Sequence, residues 1–402
     1  MQRKSTSMVD WSELQYDLLV LIGKRLNLIE DYLNFSSVCK PWRCAAKKDN
    51  FNSDLPRVPW LMLAEEQDEE GNSCRQFFSL YNGMILKKTI PESRGKRCLE
   101  CLGWFITVGK EGEINLLHPF SGVQIELPHQ SNFENYEEAI PLFDKRAYIA
   151  KAVLSASPSY KSDYVLMVIE GALKISIWRP GDLSWTRIQR GGLHHDVVYF
   201  NGQFYAIDRH GCVVVVYNVA DPEPSETPLV AQLPSAGMMV WHYIVESLGS
   251  LFVIVRHFEV KHDLPLNRDY LTPLTCIIYH HVGDDLINNT DIFCDKPDVT
   301  TTFQVFKLDI DAGTLIQIQD LGDRALFLGS NASLSVQASQ FPGIKPNHIY
   351  FTDNDNASPV YNEGDGLDMG VFDVGDGSIK AHYEGVSVSL VCPPAWVTPT
   401  LY

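Results

Sequence analysis

The chain changes its hydrophobic period near residue 50. In residues 12–49, apolar side chains recur at steps of three and four, which predicts a helix with one apolar face. The residues on this face are Leu14, Leu18, Leu21, Ile22 and Leu26. Ser12 and Gln15 fit a capping box at its start. A second short helix is predicted over 32–38, and a third begins near Pro41, a good first-turn residue.

After Asn50 the period changes to two, which is typical of strands. Short apolar runs recur, separated by turn residues such as Asn201-Gly202. The runs are 60–63, 77–81, 104–108, 164–169, 197–200, 204–207, 213–217, 251–255, 276–279, 303–308, 326–328, 349–352 and 386–391. No long amphipathic helix interrupts them, so the pattern predicts an all-β sandwich, barrel or propeller.

The length of this region favours a propeller. About 340 residues of strand exceed a single sandwich, and similar strands recur at multiples of about 50 residues, as blades do. Those strands lie near Trp104, Phe204, Leu251 and Ile349. We predict six or seven blades, with a final strand over 386–391 pairing with 60–64 to close the ring. Two stacked β domains are the alternative.

Composition limits the classes of partner. The 402 residues include 33 Lys+Arg and 50 Asp+Glu, a net charge of −17, so clustered cations for phosphate or anionic lipid are not expected. No run approaches the ~20 apolar residues of a spanning helix, and the first residues lack a secretory core. Nine cysteines at irregular spacing do not fit a disulfide framework. We expect no nucleic-acid or membrane partner, and a location in the nucleus or cytoplasm.

No motif in the sequence points to a cofactor, a metal or a catalytic residue. Cys98-Leu-Glu-Cys101 is a single pair, whereas zinc needs about four ligands. The pairs His194-His195 and His280-His281 would point to opposite faces of a strand. The segment from Asp353 starts like a calcium loop but lacks its glycine and glutamate. A propeller that hydrolyses or binds sugars through channel carboxylates remains an alternative.

The helical segment resembles an F-box. The family pattern places Asp-Leu-Leu on the first helix and Ser-Val-Cys-Lys-x-Trp-Arg further on. The matching residues are Leu14, Asp17, Leu18, Leu19, Ile22, Leu26, Tyr32, Leu33, Phe35, Val38, Cys39, Lys40, Trp42 and Arg43. Gln15 stands where the family usually has proline, which would fix φ at the helix entrance.

The remainder is similar, nearly end to end, to the β-propeller of a large group of plant F-box proteins, the kink-suppressor (KIB) type. Phrases that carry the resemblance are LLHPFSGVQIELP at 116–128, DVVYFNGQFYAIDRHGCVVVVY at 196–217, LGDRALFLGSNASLSVQAS at 321–339 and DMGVFDVGDGSI at 368–379. The resemblance divides the chain into a flexible N-terminus (1–10), an F-box (11–50), a linker (51–58) and a target-binding propeller (59–402).

The resemblance implies a non-catalytic substrate-recognition subunit of an SCF ubiquitin ligase. The F-box would dock a Skp-type adaptor and, through it, a cullin, while the propeller would hold an unknown protein target. A non-ligase scaffold is the alternative.

Two sets of residues are the candidate contacts. The adaptor would be bound by Leu14, Leu18, Leu19, Ile22, Leu26, Leu33 and Trp42, whose burial in a complex would be stabilising. The alternative for this set is that the helices pack on the edge of the propeller. The target would meet acidic side chains in the 65–70 and 353–368 segments, represented by Asp353, Asp355 and Glu363, through a basic patch of its own.

Overall fold

The structure is a computed structural model, and it divides the chain into two units, the second running from Val58 to Thr398. The residues it describes are 10–26, 29–47, 50, 58–67, 73–134, 136–139, 145–171, 173–188, 192–217, 225–226, 229–234, 240–259, 299–331, 333–353, 368–385, 387–389 and 391–399. The predicted strand at 276–279 lies outside these ranges.

The first unit is helical, as predicted. A 3₁₀ turn is followed by three helices: the turn is Trp11–Glu13, α1 is Tyr16–Gly23, α2 is Ile29–Ser37 and α3 is Lys40–Ala45. The predicted capping box is wrong. The Asp10 carboxylate caps the 3₁₀ turn by accepting from the N–H and hydroxyl of Ser12, at 2.9 and 2.6 Å. Gln15 precedes α1 without a side-chain cap, because the turn separates it from Ser12.

The second unit is built from short strands. They are β1 Trp60–Met62, β2 Glu66–Gln67, β3 Ser73–Ser79, β4 Ile85–Lys88, β5 Arg97–Cys101, β6 Trp104–Val108, β7 Ile114–Leu117, β8 Gln124–Glu126, β9 Ile149–Leu154, β10 Leu166–Glu170, β11 Lys174–Trp178, β12 Thr186–Arg187, β13 His194–Phe200, β14 Gln203–Asp208, β15 Cys212–Tyr217, β16 Ser225–Glu226, β17 Ala231–Gln232, β18 Val240–Ser247, β19 Ser250–Glu259, β20 Val299–Asp309, β21 Thr314–Ile318, β22 Arg324–Leu328, β23 Ser333–Gln337, β24 His348–Phe351, β25 Gly370–Asp373, β26 Ile379–Lys380 and β27 Ala395–Val397. A short α-helix, α4 (Tyr136–Ala139), lies between β8 and β9.

Within the described residues the strands form six sheets, the six blades of a propeller. In chain order the blades are β1–β4 with β27, then β5–β8, β9–β12, β13–β17, β18–β21 and β22–β26. The predicted propeller is therefore confirmed, and the blade number is six. The cores lie between blades: Ile106 of the second blade packs with Leu166 of the third, and Val213 of the fourth with Val253 of the fifth.

The innermost strands of the blades lie around the axis, and successive ones contact each other from β27 of the first blade round to β23 of the sixth. These strands are β27, β5, β9, β13, β18 and β23. The sixth blade departs from a simple meander, because its inner strand β23 folds back on β22, and β22 then pairs in parallel with β24. The β22–β23 hairpin thereby reaches the axis, where its Asn331 is buried.

The ring closes between the two ends of the second unit. β27 pairs antiparallel with β1, with Trp60 opposite Val397 and Met62 opposite Ala395. Closure onto the first strand is as predicted, but the predicted closing strand at 386–391 is wrong. Pro393 and Pro394 directly precede the actual closing strand, β27, so the sequence there resembles a turn. The strand forms because Trp396 at its centre is buried.

Chain direction gives the propeller two distinct faces. Because neighbouring strands in a meander are antiparallel, the first-to-second and third-to-fourth connections of the second to fifth blades emerge at one end, and the β3–β4 turn of the first blade lies at the same end. We call this end the first-hairpin face. It includes the turns at 102–103, 201–202 and 248–249, while those at 109–113 and 209–211 lie on the opposite face.

We predict that Trp396→Ala destabilises the propeller by about 3–5 kcal/mol, the usual cost of removing a buried tryptophan. Its indole Nε1–H donates to the Leu328 carbonyl at 3.2 Å, and its ring packs edge-on against Phe327. Urea denaturation measures the loss. Leu183→Ala, at a side chain 92% exposed, is the control and should change stability by less than about 0.5 kcal/mol. Equal stability of the two variants would contradict closure by β27.

Candidate functional site

The three helices of the first unit enclose a small core of their own. Leu19 of α1, Phe35 of α2 and Ala45 of α3 are buried against one another. Trp42 lies half-buried beside Phe35, with ring centroids 4.8 Å apart, and its Nε1–H donates to the Trp11 carbonyl at 2.9 Å. These contacts fix the helices relative to one another, so their remaining apolar side chains are held in a defined arrangement.

The outer face of α1 remains apolar after this core is formed. Leu18 is 45% exposed and Leu21 is 55% exposed, and Tyr16, the first residue of the helix, is exposed as well. Large side chains at such exposure are typical of a protein-binding surface when they cluster. Trp11 and Val38 are exposed in the same unit.

The structure separates the seven predicted adaptor contacts into groups. Leu18 is exposed, whereas Leu14, Ile22, Leu26 and Trp42 are half-buried against the core. Leu19 belongs to the core itself, and the side chain of Leu33 lies outside the described part of the chain. Adaptor binding by this set stays a prediction. The sequence reasoning missed Tyr16, Leu21, Trp11 and Val38 as candidates, although Leu21 was on the predicted apolar face.

A buried polar network occupies the axis of the propeller. Lys151 of β9 forms an ion pair with Asp196 of β13 and donates to the Ser333 hydroxyl at 2.9 Å, and that hydroxyl donates to Asp196 at 2.6 Å. Asp196 also accepts the backbone N–H groups of Val197 and Ile244, at 2.6 and 3.0 Å. Burial lowers the pKa of Lys151. The network ties the third, fourth, fifth and sixth blades together.

Asn331 extends these contacts to the second blade. Its side-chain oxygen accepts the Ala152 N–H at 3.1 Å, and its amide donates to the Glu100 carbonyl. The Glu100 carboxylate is buried and accepts the Gly103 N–H at 2.8 Å. Burial raises the pKa of Glu100 to about 7, although backbone hydrogen bonds from Gly103 and Thr398 oppose the rise. The two axial carboxylates, those of Asp196 and Glu100, therefore both accept hydrogen bonds from other groups of the propeller.

A second buried cluster is centred on Arg256 of β19. Its guanidinium donates to the hydroxyls of Thr300 and Tyr243, at 2.7 and 2.9 Å, and to Asp368 at 2.8 Å. Asp353, one of the predicted target contacts, is buried beside it and accepts the Asp368 N–H at 3.0 Å.

This placement bears on the predicted target contacts. Asp353 already has a structural bond, while Asp355 and Glu363 fall outside the described residues. The contribution of all three to target binding stays a prediction.

The histidines of the fourth and fifth blades pack as aromatic rings. His195 stacks on Trp241 with ring centroids 4.1 Å apart, and the backbone N–H of His242 donates to the His195 Nδ1 at 3.2 Å. Burial lowers the pKa of His242 to about 4 and that of His195 well below its ordinary value. Across the residues that the structure describes, no group of three or more His, Cys, Asp or Glu side chains is placed to hold a metal ion.

Two family models match the chain. An F-box domain model matches residues 11–54, and a KIB1-4 beta-propeller model matches residues 77–373. The first covers the helical unit with its exposed leucines, and the second covers most of the six blades. In the described part of the chain no helix has the length and apolar character to cross a membrane.

Curated relatives align over nearly the whole chain. The F-box protein SKIP23 of Arabidopsis thaliana is 26% identical, covering 97% of this chain and 96% of its own length. The F-box protein At2g26160 of the same plant is 27% identical, covering 87% and 98%. Among solved structures, the Cps50 (Swd1) beta-propeller domain of Myceliophteria thermophila matches with a TM-score of 0.33 and 9% identity, covering 81% of this chain and 86% of that one.

We predict that Glu100 makes stability depend on pH. Because its pKa rises from 4.5 in the unfolded chain to about 7 in the folded one, its stabilising contribution is complete below about pH 4.5 and is lost as the pH rises through 7. Glu100→Gln cannot ionise, so above pH 7 the variant should exceed the wild type by about 3 kcal/mol, and by much less near pH 5.

Urea denaturation from roughly pH 5 to 8 measures this difference. Glu126→Gln, at an exposed strand residue, is the control and should follow the wild type within about 0.5 kcal/mol throughout. Parallel curves for Glu100→Gln and the wild type would contradict the assignment.

Proposed function

Because this chain belongs to the KIB1-4 beta-propeller family and carries an F-box ahead of its propeller, we propose that it is the substrate-recognition subunit of an SCF ubiquitin ligase. F-box domains in general bind Skp-type adaptors. The observation that carries the proposal is the exposed apolar face of α1 in the unit that the F-box model matches. The adaptor covers that face and connects the chain to a cullin.

The chain contributes proximity and no covalent chemistry in this proposal. The propeller holds the target while the adaptor and cullin bring the ubiquitin-charged enzyme, so the concentration of target lysines near that enzyme rises. The axial network supports such a role, because cross-links between five blades give a rigid platform. Catalysis by the axial carboxylates is not part of the proposal, since their oxygens are engaged in structural hydrogen bonds.

The proposed location is the nucleus or the cytoplasm. The described cysteines, among them the buried Cys98, Cys101 and Cys392, are free thiols, which a reducing compartment would preserve. The proposed target contacts include the acidic Asp355 and Glu363, which would speed association with a basic target.

We predict that Leu18→Asp combined with Leu21→Asp abolishes adaptor binding. Each change removes an apolar contact and places a charge in the interface, so affinity should fall at least about a hundredfold. Both side chains are exposed, so the helices should keep their circular dichroism spectrum. Binding of purified Skp-type adaptor to the full chain is measured by calorimetry or pull-down.

Ile316→Asp is the matched control, because Ile316 is an exposed apolar residue on β21 of the propeller. It should leave adaptor affinity unchanged. Undiminished binding by the double variant would contradict docking through α1. Adaptor complexes that never contain a cullin would contradict the ligase and favour a scaffold.

A further inference from the structure

The exposed apolar side chains of the propeller are concentrated at one end. Seven of them lie in the connections of the first-hairpin face: Met84, Leu102, Val123, Tyr160, Leu183, Leu248 and Ile310. In the described connections of the opposite face, such as 109–113 and 209–211, no large apolar side chain is exposed. Single exposed apolar residues are ordinary, but their segregation to one face indicates a binding surface.

Two of these leucines occupy a backbone conformation that disfavours them. Leu102 and Leu248 have φ of 49° and 52°, and each precedes a glycine in a tight turn between the first two strands of its blade. The corresponding turn of the fourth blade has Asn201 at φ 48°, followed by Gly202, which is the pair that such turns favour. Leucine is strained in the left-handed region, whereas asparagine tolerates it.

Burial does not offset this strain. Leu102 is 49% exposed and Leu248 is 74% exposed, so neither side chain gains what a core position would give. A strained residue that gains little from burial points to a role outside folding. The two turns follow the inner strands β5 and β18, so both leucines lie close to the axis of the face.

The charges of the same face indicate the occupant. Its described turns carry Asp163, Asp182 and Asp311, against Lys161 and Arg179, and Arg179 lies 3.9 Å from Asp182. The whole chain is strongly acidic, with a net charge of −17. A ligand that carries apolar side chains flanked by cations would therefore complement both the exposed apolar side chains and the acidic side chains of this face.

We infer that the first-hairpin face docks an apolar segment of the target protein that is flanked by lysine or arginine, an inference that rests on the proposed role of the chain as a target receptor. Leu102 and Leu248 insert between the apolar side chains of that segment. The acidic turns around them attract its cations and make binding weaken with added salt.

The test uses the full-length chain, produced together with the adaptor, and two short fluorescent peptides, one alternating leucine with lysine and the other leucine with glutamate. Fluorescence anisotropy measures binding. The leucine–lysine peptide should bind, less tightly as salt is added, and the leucine–glutamate peptide should bind at least about tenfold more weakly. Leu102→Asn combined with Leu248→Asn should weaken the first peptide about tenfold or more while keeping or raising the unfolding midpoint.

Ile316→Asn is the matched control for apolar surface elsewhere, and it should leave peptide affinity unchanged. Equal peptide affinity of the leucine double variant and the wild type would overturn the inference, as would equal affinity for the two peptides. It would also fail if Asp355→Asn with Glu363→Gln, and not the leucine changes, abolished binding.

Adaptor retention in the same samples separates this inference from the proposed function. Binding that depends on the two leucines, in a chain that never retains the adaptor, would refute the ligase role and leave the docking face in place. Retention of the adaptor with no effect of the leucine changes would refute the docking face alone.

Discussion

The propeller depends on a constraint at its axis: polar groups buried there must be paired with one another. Lys151 and Asp196 come from different blades, and each would be costly to bury alone, because an unpartnered charge in a protein interior costs several kcal/mol. Ser333 and Asn331, carried inward by the hairpin of the sixth blade, complete the pairing. A blade that shifted would break these bonds, so the blades hold a fixed arrangement. This fixed arrangement of the blades also holds the turns at both ends of the propeller in place.

Much of this architecture was predictable from local patterns. The segments at Trp104, Phe204 and Leu251 all belong to second strands of blades, so their repetition reflects a real structural period. The features that the sequence did not predict depend on contacts between residues far apart in the chain. Asn331 meets Glu100 across 231 residues, and nothing in the periodicity of β22 predicts that β23 folds back ahead of the parallel partner β24. The closing strand was misplaced for a similar reason, since only burial identifies Trp396 as its centre.

The candidate site shows the same limit at the level of one helix. The sequence of α1 is Tyr-Asp-Leu-Leu-Val-Leu-Ile-Gly, so apolar side chains lie on nearly every side of the helix. The sequence therefore predicts a binding helix but does not determine which leucine faces inward. Packing against Phe35 and Ala45 decides that Leu19 is core and Leu18 is surface. On the propeller, the backbone strain at Leu102 and Leu248 could not be predicted, because the letters Leu-Gly do not reveal that the leucine adopts a positive φ.

Closure of the first blade by β27 has a consequence for synthesis on the ribosome. The helical unit emerges first, yet β1 acquires its partner on one side only when Ala395–Val397 leaves the exit tunnel. Until then the nascent chain carries an open strand edge, which is the kind of edge that templates aggregation. A stop codon that removed the last eight residues would therefore produce a chain with a complete helical unit and a ring that cannot be finished.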